Sequence, residues 1–273
     1  MNNLTLNGQR FSDIANHKFT ETIQNTNGKT VKIKYDLNLS LLKENDLVYC
    51  KTDDVLELFF LLKKVKTNIN LITSQSDYEI DKSLFLKKPK NISKWFAINV
   101  NYNHPDLIPI PLGIGYDFSK SYLLFDQINN DKIKKNKKLL YINHRIETFP
   151  FERKSIYDNF FNNEWCTIDK PTLDLKSYKE NLEKHCFMIC PRGNGIDTHR
   201  LWECTYANVI PIVKKHITYK NVLDAPILYV DSYDQITKDF LESKIGQFNN
   251  LNKEKLNIVW WKNFINKKIG IDT

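Results

Sequence analysis

The sequence has no CxxC pair, and its five cysteines (Cys50, Cys166, Cys186, Cys190 and Cys204) are an odd number. Both facts argue against a disulfide framework or a zinc site and fit a reducing compartment. No stretch reaches the roughly 18 apolar residues that a membrane span requires. The opening MNNLTLNGQR lacks the apolar core of a signal peptide, so the expectation is a soluble, cytoplasmic chain, or one in the host cytoplasm if the source is viral. No internal repeat is visible. There is no GK[ST] ending for a phosphate-binding P-loop and no third glycine at dinucleotide spacing. No Asp-x-Asp sits in a loop suited to a metal, so no metal site and no required cofactor are expected.

Glycine is scarce, at eight of 273 residues, and aromatics make up 12%. With 41% hydrophobic and 26% charged residues the composition is that of an ordinary folded protein, long enough for two domains. The formal charge of +8 raises the possibility of nucleic acid, but the basic residues form no arginine-rich helix and no recognisable reader motif. The densest run, KIKKNKK at 132–138, reads as a solvated linker.

Short apolar runs alternate with amphipathic ones, which predicts an α/β protein. DLVYC, DDVLELFFLLKKV and NLITS form a strand, helix and strand in the first half, and HPDLIPIPLGIGYDF follows as a structured loop at a strand end. After the lysine-rich segment come strand LLYIN, helix ERKSIYDNFF, strand FMIC, helix THRLWECTYA, and strands VIPIV and ILYVD. The boundaries expected are 1–130, 139–250 and a last helix over 251–273, in which Trp260 and Trp261 serve as packing anchors.

Two of the scarce glycines fall in CPRGNGIDTHRLWE, from Cys190 to Glu203, together with Arg192, His199, Arg200 and two acids. The stretch links a strand to a helix start, the place where α/β sheets present ligands. Gly193 and Gly195 allow positive φ or close approach, and with Asn194 they offer backbone amides to an anion beside the positive end of the helix. Asp197 or Thr198 caps that helix or touches the ligand. Arg200 and Glu203, three apart, share a helix face: the guanidinium suits phosphate oxygens and the carboxylate suits ribose hydroxyls, or the two form a surface ion pair. Cys190 at the end of an apolar strand reads as buried and inert, and His199 reads equally well as structural.

The segment FMICPRGNGIDTHRLWECTYANVIPIV resembles the donor-binding segment of exostosin-like glycosyltransferases and their bacterial and viral relatives, in which a strand, a proline-containing loop, an Arg-x-x-Glu helix and an "IP" strand recur in that order. ITSQSDY, NISKWFAINV and LIPIPLGI extend it more weakly. The resemblance implies a GT-B-like fold of two Rossmann-like domains facing across a cleft, the second holding a nucleotide sugar and the first an acceptor glycan. By position it gives Glu203 to the ribose, and Arg200 with the loop from Gly193 to Gly195 to the diphosphate. It also implies an inverting, metal-independent hexosyl or pentosyl transfer from a UDP- or GDP-sugar, without the membrane anchor or stem of longer members.

Charge growing on the leaving diphosphate has to be stabilised, and the candidates are the helix start, Arg200, Arg145, Arg153 and Arg192. Asp77, just past NLITS, is the candidate base, or a turn cap. A non-catalytic glycan- or nucleic-acid-binding module, or another nucleotide-using enzyme, remains an alternative.

Overall fold

The computed structural model describes residues 4–20, 22–26, 29–33, 37–115, 123, 125, 137–248 and 253–271. The expected domain boundary, the segment around 130–136, lies outside the described residues. The first half opens on helix α1 (Gly8–Ile14), capped by the Asn7 side chain, then strand β1 (His17–Phe19) and a hairpin, β2 (Thr22–Thr26) with β3 (Lys29–Ile33). There follow β4 (Leu47–Lys51), α2 (Val55–Leu62), β5 (Ile69–Ser74), the short α3 (Lys82–Phe85), β6 (Ile92–Ala97) and β7 (Leu107–Pro109). The sheet is all parallel in the order β1-β4-β5-β6-β7. Strands β4 and β5 are near-continuous apolar runs because a parallel sheet is covered on both faces.

The stretch expected as a loop after His104 contains β7. A strand ending at Pro109 is tolerated because β7 is an edge, where one backbone donor is not needed for pairing. The expected helix after β4 likewise begins later than its acids suggest, with Thr52–Asp54 forming one 3-10 turn ahead of it.

The second half contains β8 (Lys138–Ile142), α4 (Pro150–Phe160), β9 (Cys166–Ile168), α5 (Leu175–Glu183), β10 (His185–Ile189), α6 (His199–Tyr206), β11 (Ile210–Lys214), β12 (Leu228–Val230), α7 (Lys238–Lys244) and α8 (Ile258–Ile269). Its parallel sheet runs β9-β8-β10-β11-β12. Chain order therefore reverses between β8 and β10, the doubly wound pattern in which a crevice opens beyond the strand ends. The first sheet has no such reversal.

Three apolar cores follow from this layering. One fills the outer face of the first sheet under α2 and α3, and one the outer face of the second sheet under α4 and α7. The third runs across the junction, joining α1, the inner face of the first sheet, α5, α6 and α8. Trp261, fully buried, meets Phe11 edge-on at 6.2 Å. Tyr206 ties the same region by accepting from Leu6 N–H at 2.7 Å and donating to Leu256 O at 2.6 Å. Beside it Thr5 bridges Asn257, and Ile258 N–H donates to Leu4 O at 3.0 Å. Two Rossmann-like α/β domains thus face across a cleft, a GT-B-like architecture.

Candidate active site

The cleft measures about 520 Å³, within the range of small-ligand sites. Asp53, Gln75, Ser76 and Asp77 line it from the strand ends of the first sheet, Leu112 and Ile114 from the chain beyond β7, and residues 193–195 and 197–199 from the second domain. Gln75 and Asn99, at the ends of adjacent strands β5 and β6, both hold left-handed backbone (φ 56° and 52°). Strain of this kind concentrates at functional sites.

The glycine loop is fastened from both sides. Asn99 accepts from Asp197 N–H at 2.8 Å and donates to Ser76 O at 3.0 Å, so one buried amide ties the loop to the first domain. A Cβ on Gly195 would sit 2.8 Å from that amide, and one on Gly193 would sit 3.0 Å from the Arg153 guanidinium. Close approach, and not positive φ, is why glycine is needed there. Gly193 N–H donates to Gly195 O at 3.0 Å, so it is spent within the loop and does not face an anion as expected.

Asp197 is not the side-chain cap expected for α6, and neither is Thr198, which occupies the N-cap position without a capping bond. The buried Asp197 carboxylate accepts from Leu112 N–H at 2.9 Å and from the Trp202 indole N–H at 3.0 Å. Burial pushes its pKa up to about 7, against the pull of those donors. His199 donates Nδ1–H to Gly113 O at 2.7 Å, another strap across the domains.

The arginines divide by role. Arg153, buried on α4, donates to the carbonyls of Arg192, Arg145 and Pro191 at 2.8, 2.8 and 3.1 Å, and so shapes both banks of the β8/β10 crevice. Its pKa is lowered to about 10, by burial first and then by the charge of Arg200. Arg192 pairs with Glu79 across the domains at 2.7 Å and lies over Phe149 at 4.5 Å. Arg200 lies over the Tyr178 ring at 4.6 Å, and Tyr178 O–H donates to the buried Glu203 carboxylate at 2.9 Å. Arg200 and Glu203 thus converge on Tyr178, an arrangement neither sequence alternative contained. Arg145 is exposed beside the crevice.

Of the expected residues, Asp77, Gly193, Asn194, Gly195, Asp197 and Thr198 share the cleft, and Asn194 donates to Asp77 at 3.3 Å across it. Arg145, Arg153, Arg192, Arg200 and Glu203 surround the loop without lining that cavity. Asn99 and Asp53 went unremarked in the sequence as site residues, as did His144, which is buried behind the crevice and donates from Nε2 to Arg153 O at 3.2 Å. Asn99 and Asp53 lie in quoted segments whose strand ends point to them, whereas His144 had no signal beyond its place after LLYIN. Asp53 and Asp77 supply cleft carboxylates, but among the described residues no three metal-ligating side chains converge.

No family model and no curated protein sequence matches the chain. Solved structures do. An α1,3-fucosyltransferase with GDP-fucose aligns at TM-score 0.45 and 13% identity over 86% of this chain and 80% of its own. The β-glucosyltransferase of T4 phage aligns at 0.39 and 11% identity over 86% and 84%. A second structure of β-glucosyltransferase, described as a DNA-modifying enzyme with substrate uridine diphosphoglucose, gives the same values. Overlaps this loose transfer no residue, and the roles below rest on this chain's own geometry.

Proposed function

We propose that the chain is a glycosyltransferase of the exostosin-like kind, moving a sugar from a nucleoside diphosphate sugar to a glycan hydroxyl. The observation that carries the reading is the glycine loop of the second sheet. It leaves the β8/β10 reversal, where a parallel sheet takes a nucleotide, and faces Asp77 of the first domain across the cleft. The diphosphate lies in the crevice near Arg145, Arg200 and the start of α6. Arg153 and Arg192 act one step back, by holding the loop. Glu203, fixed by Tyr178, takes the ribose. Residues 1–130 carry the acceptor side, 139–250 the donor side, and 251–273 the helix that closes one onto the other.

In the reaction Asp77 accepts the proton of the acceptor hydroxyl, whose oxygen attacks the anomeric carbon from the side opposite the leaving group. The bond from that carbon to the distal phosphate oxygen breaks, and the electron pair stays on the diphosphate. The arginines and the helix start stabilise that charge without a metal. Inversion is what the resemblance to exostosin-like glycosyltransferases implies.

The test is titration calorimetry with UDP-glucose and GDP-fucose, the sugars named for the two neighbours, followed by transfer to an oligosaccharide acceptor. Asp77→Asn is expected to keep donor affinity and lose about 10²- to 10⁴-fold in turnover. Absence of binding by any nucleoside diphosphate sugar to folded protein overturns the reading, and unchanged turnover in Asp77→Asn removes that residue as the base.

A further inference from the structure

Helix α2, VLELFFLL, has one charged residue in eight, the exposed Glu57, and is otherwise apolar. Val55, Leu58, Phe59 and Leu62 fill the core beneath it. The opposite side of a helix in a water-soluble protein is ordinarily polar. Here it carries Leu56 and Phe60, four apart on one face and exposed at 50% and 63%. The neighbouring α3, over the same core, is followed by Leu86 at 67% exposure. Asn91, just ahead of β6, donates to the carbonyls of Leu62, Val65 and Thr67, and a groove lined by Lys63, Lys87, Lys88 and Lys90 lies between the chain after α2 and the chain after α3.

The acids Asp53, Asp54, Glu57 and Asp81 sit at the helix starts together with Lys82, while Lys63, Lys64, Lys66, Lys87 and Lys90 are exposed beyond the helix ends, where the excess of positive charge lies. Lys64 lies 5.4 Å from the centre of the Phe60 ring, which places cation and apolar surface in one patch. A nucleic acid would engage the lysines and leave Leu56, Phe60 and Leu86 in water. A second copy pairing antiparallel through the same face would set lysine against acid and would leave the chain in solution beside either kind of vesicle, an outcome that would overturn a membrane role. A bilayer with anionic headgroups satisfies both features, since the apolar side chains enter the boundary of the acyl region while lysine stems lie along it with their charges among the phosphates.

We infer that the outer face of the first domain, built from α2 and α3, is a docking surface for an anionic membrane. It lies on the side of the sheet away from the junction core, and Asp53, just ahead of α2, is where this layer borders the cleft. This inference is independent of the chemistry proposed for the cleft.

Co-sedimentation with sucrose-loaded vesicles tests it, using phosphatidylcholine alone and phosphatidylcholine mixed with phosphatidylglycerol. The intact chain is expected to sediment with the mixed vesicles at low salt, to be released by high salt, and to stay in solution with phosphatidylcholine alone. Lys63→Gln with Lys87→Gln is expected to weaken partition by about fivefold per lysine. Phe60→Ser with Leu86→Ser is expected to abolish it even at low salt. Unchanged melting temperatures and circular dichroism spectra in both variants would show that the fold is intact. Absence of sedimentation with mixed vesicles, equal sedimentation with both vesicle types, full retention by either variant, or capture by duplex DNA in place of vesicles would overturn it.

Discussion

At the scale of single residues, two buried groups at the site oppose each other in their response to pH. Burial lowers His144 from an ordinary 6.5 to about 4, and raises Asp197 from 3.8 to about 7. Between pH 4 and 6.5 the unfolded chain therefore binds a proton at His144 that the folded chain does not, which makes stability rise with pH. Over the same window the folded chain keeps a proton at Asp197 that the unfolded chain has lost, which makes stability fall. Each slope approaches about 1.4 kcal/mol per pH unit, so the two cancel where they overlap. The expected outcome is that Asp197→Asn melts at temperatures that climb from pH 4 to 6.5 more steeply than the parent's, while His144→Gln melts at temperatures that fall over that range. Parallel profiles for all three proteins would remove both assignments. Near pH 4 Asp197→Asn should also lose about 1–3 kcal/mol, because its amide NH₂ must face either Leu112 N–H or the Trp202 indole N–H, and that loss should shrink as pH rises and the parent bears the cost of keeping Asp197 protonated.

At the scale of elements, the strand β10, the loop and helix α6 form a unit whose tightness is testable through Gly195. Its substitution by alanine brings a methyl group to 2.8 Å from the Asn99 side chain, which Ser76 O and Asp197 N–H hold in place. Gly195→Ala is expected to cost about 1–3 kcal/mol by overpacking. Adding Asn99→Ala removes the clash, so the double variant should lose less than the sum of the two single changes, as measured by urea denaturation. This unit was legible in the sequence because its signals are local: the apolar run FMIC, the glycines and the helix-forming THRLWECTYA lie within one short stretch. The same holds for β4, α2 and β5. What was not legible depended on partners distant in the chain. Nothing near Asn99 announces that its amide fastens a loop 98 positions away. The turn chemistry of Asp197 and Thr198 suggested a cap, but a donor from Leu112 and one from Trp202 claim the carboxylate instead.

At the scale of the whole molecule, the two sheets are joined by hydrogen bonds and by the shared core. The Arg192–Glu79 bridge leaves both side chains 28% exposed, so its loss should cost no more than about 1 kcal/mol. The apolar seam matters more. Trp261 on α8 is fully buried against α1, and Trp261→Ala is expected to lower stability by about 3–5 kcal/mol, read as a fall in the denaturation midpoint. A loss below 1 kcal/mol would show that α8 adds little to the joint. The expectation of Trp260 and Trp261 as anchors came from aromatic content alone. That the contact of Trp261 would be α1 could not be read from the sequence, because residue spacing carries no information about which helix lies across a junction.

The same seam sets a timetable. Residues 4–14 pack against residues 257–269, so the first helix leaves the ribosome long before its cover exists. At the usual pace of synthesis that interval is on the order of tens of seconds. Throughout it Phe11 and Leu6 present apolar surface to the surroundings, which makes them a target for a chaperone until residues 257–269 are made.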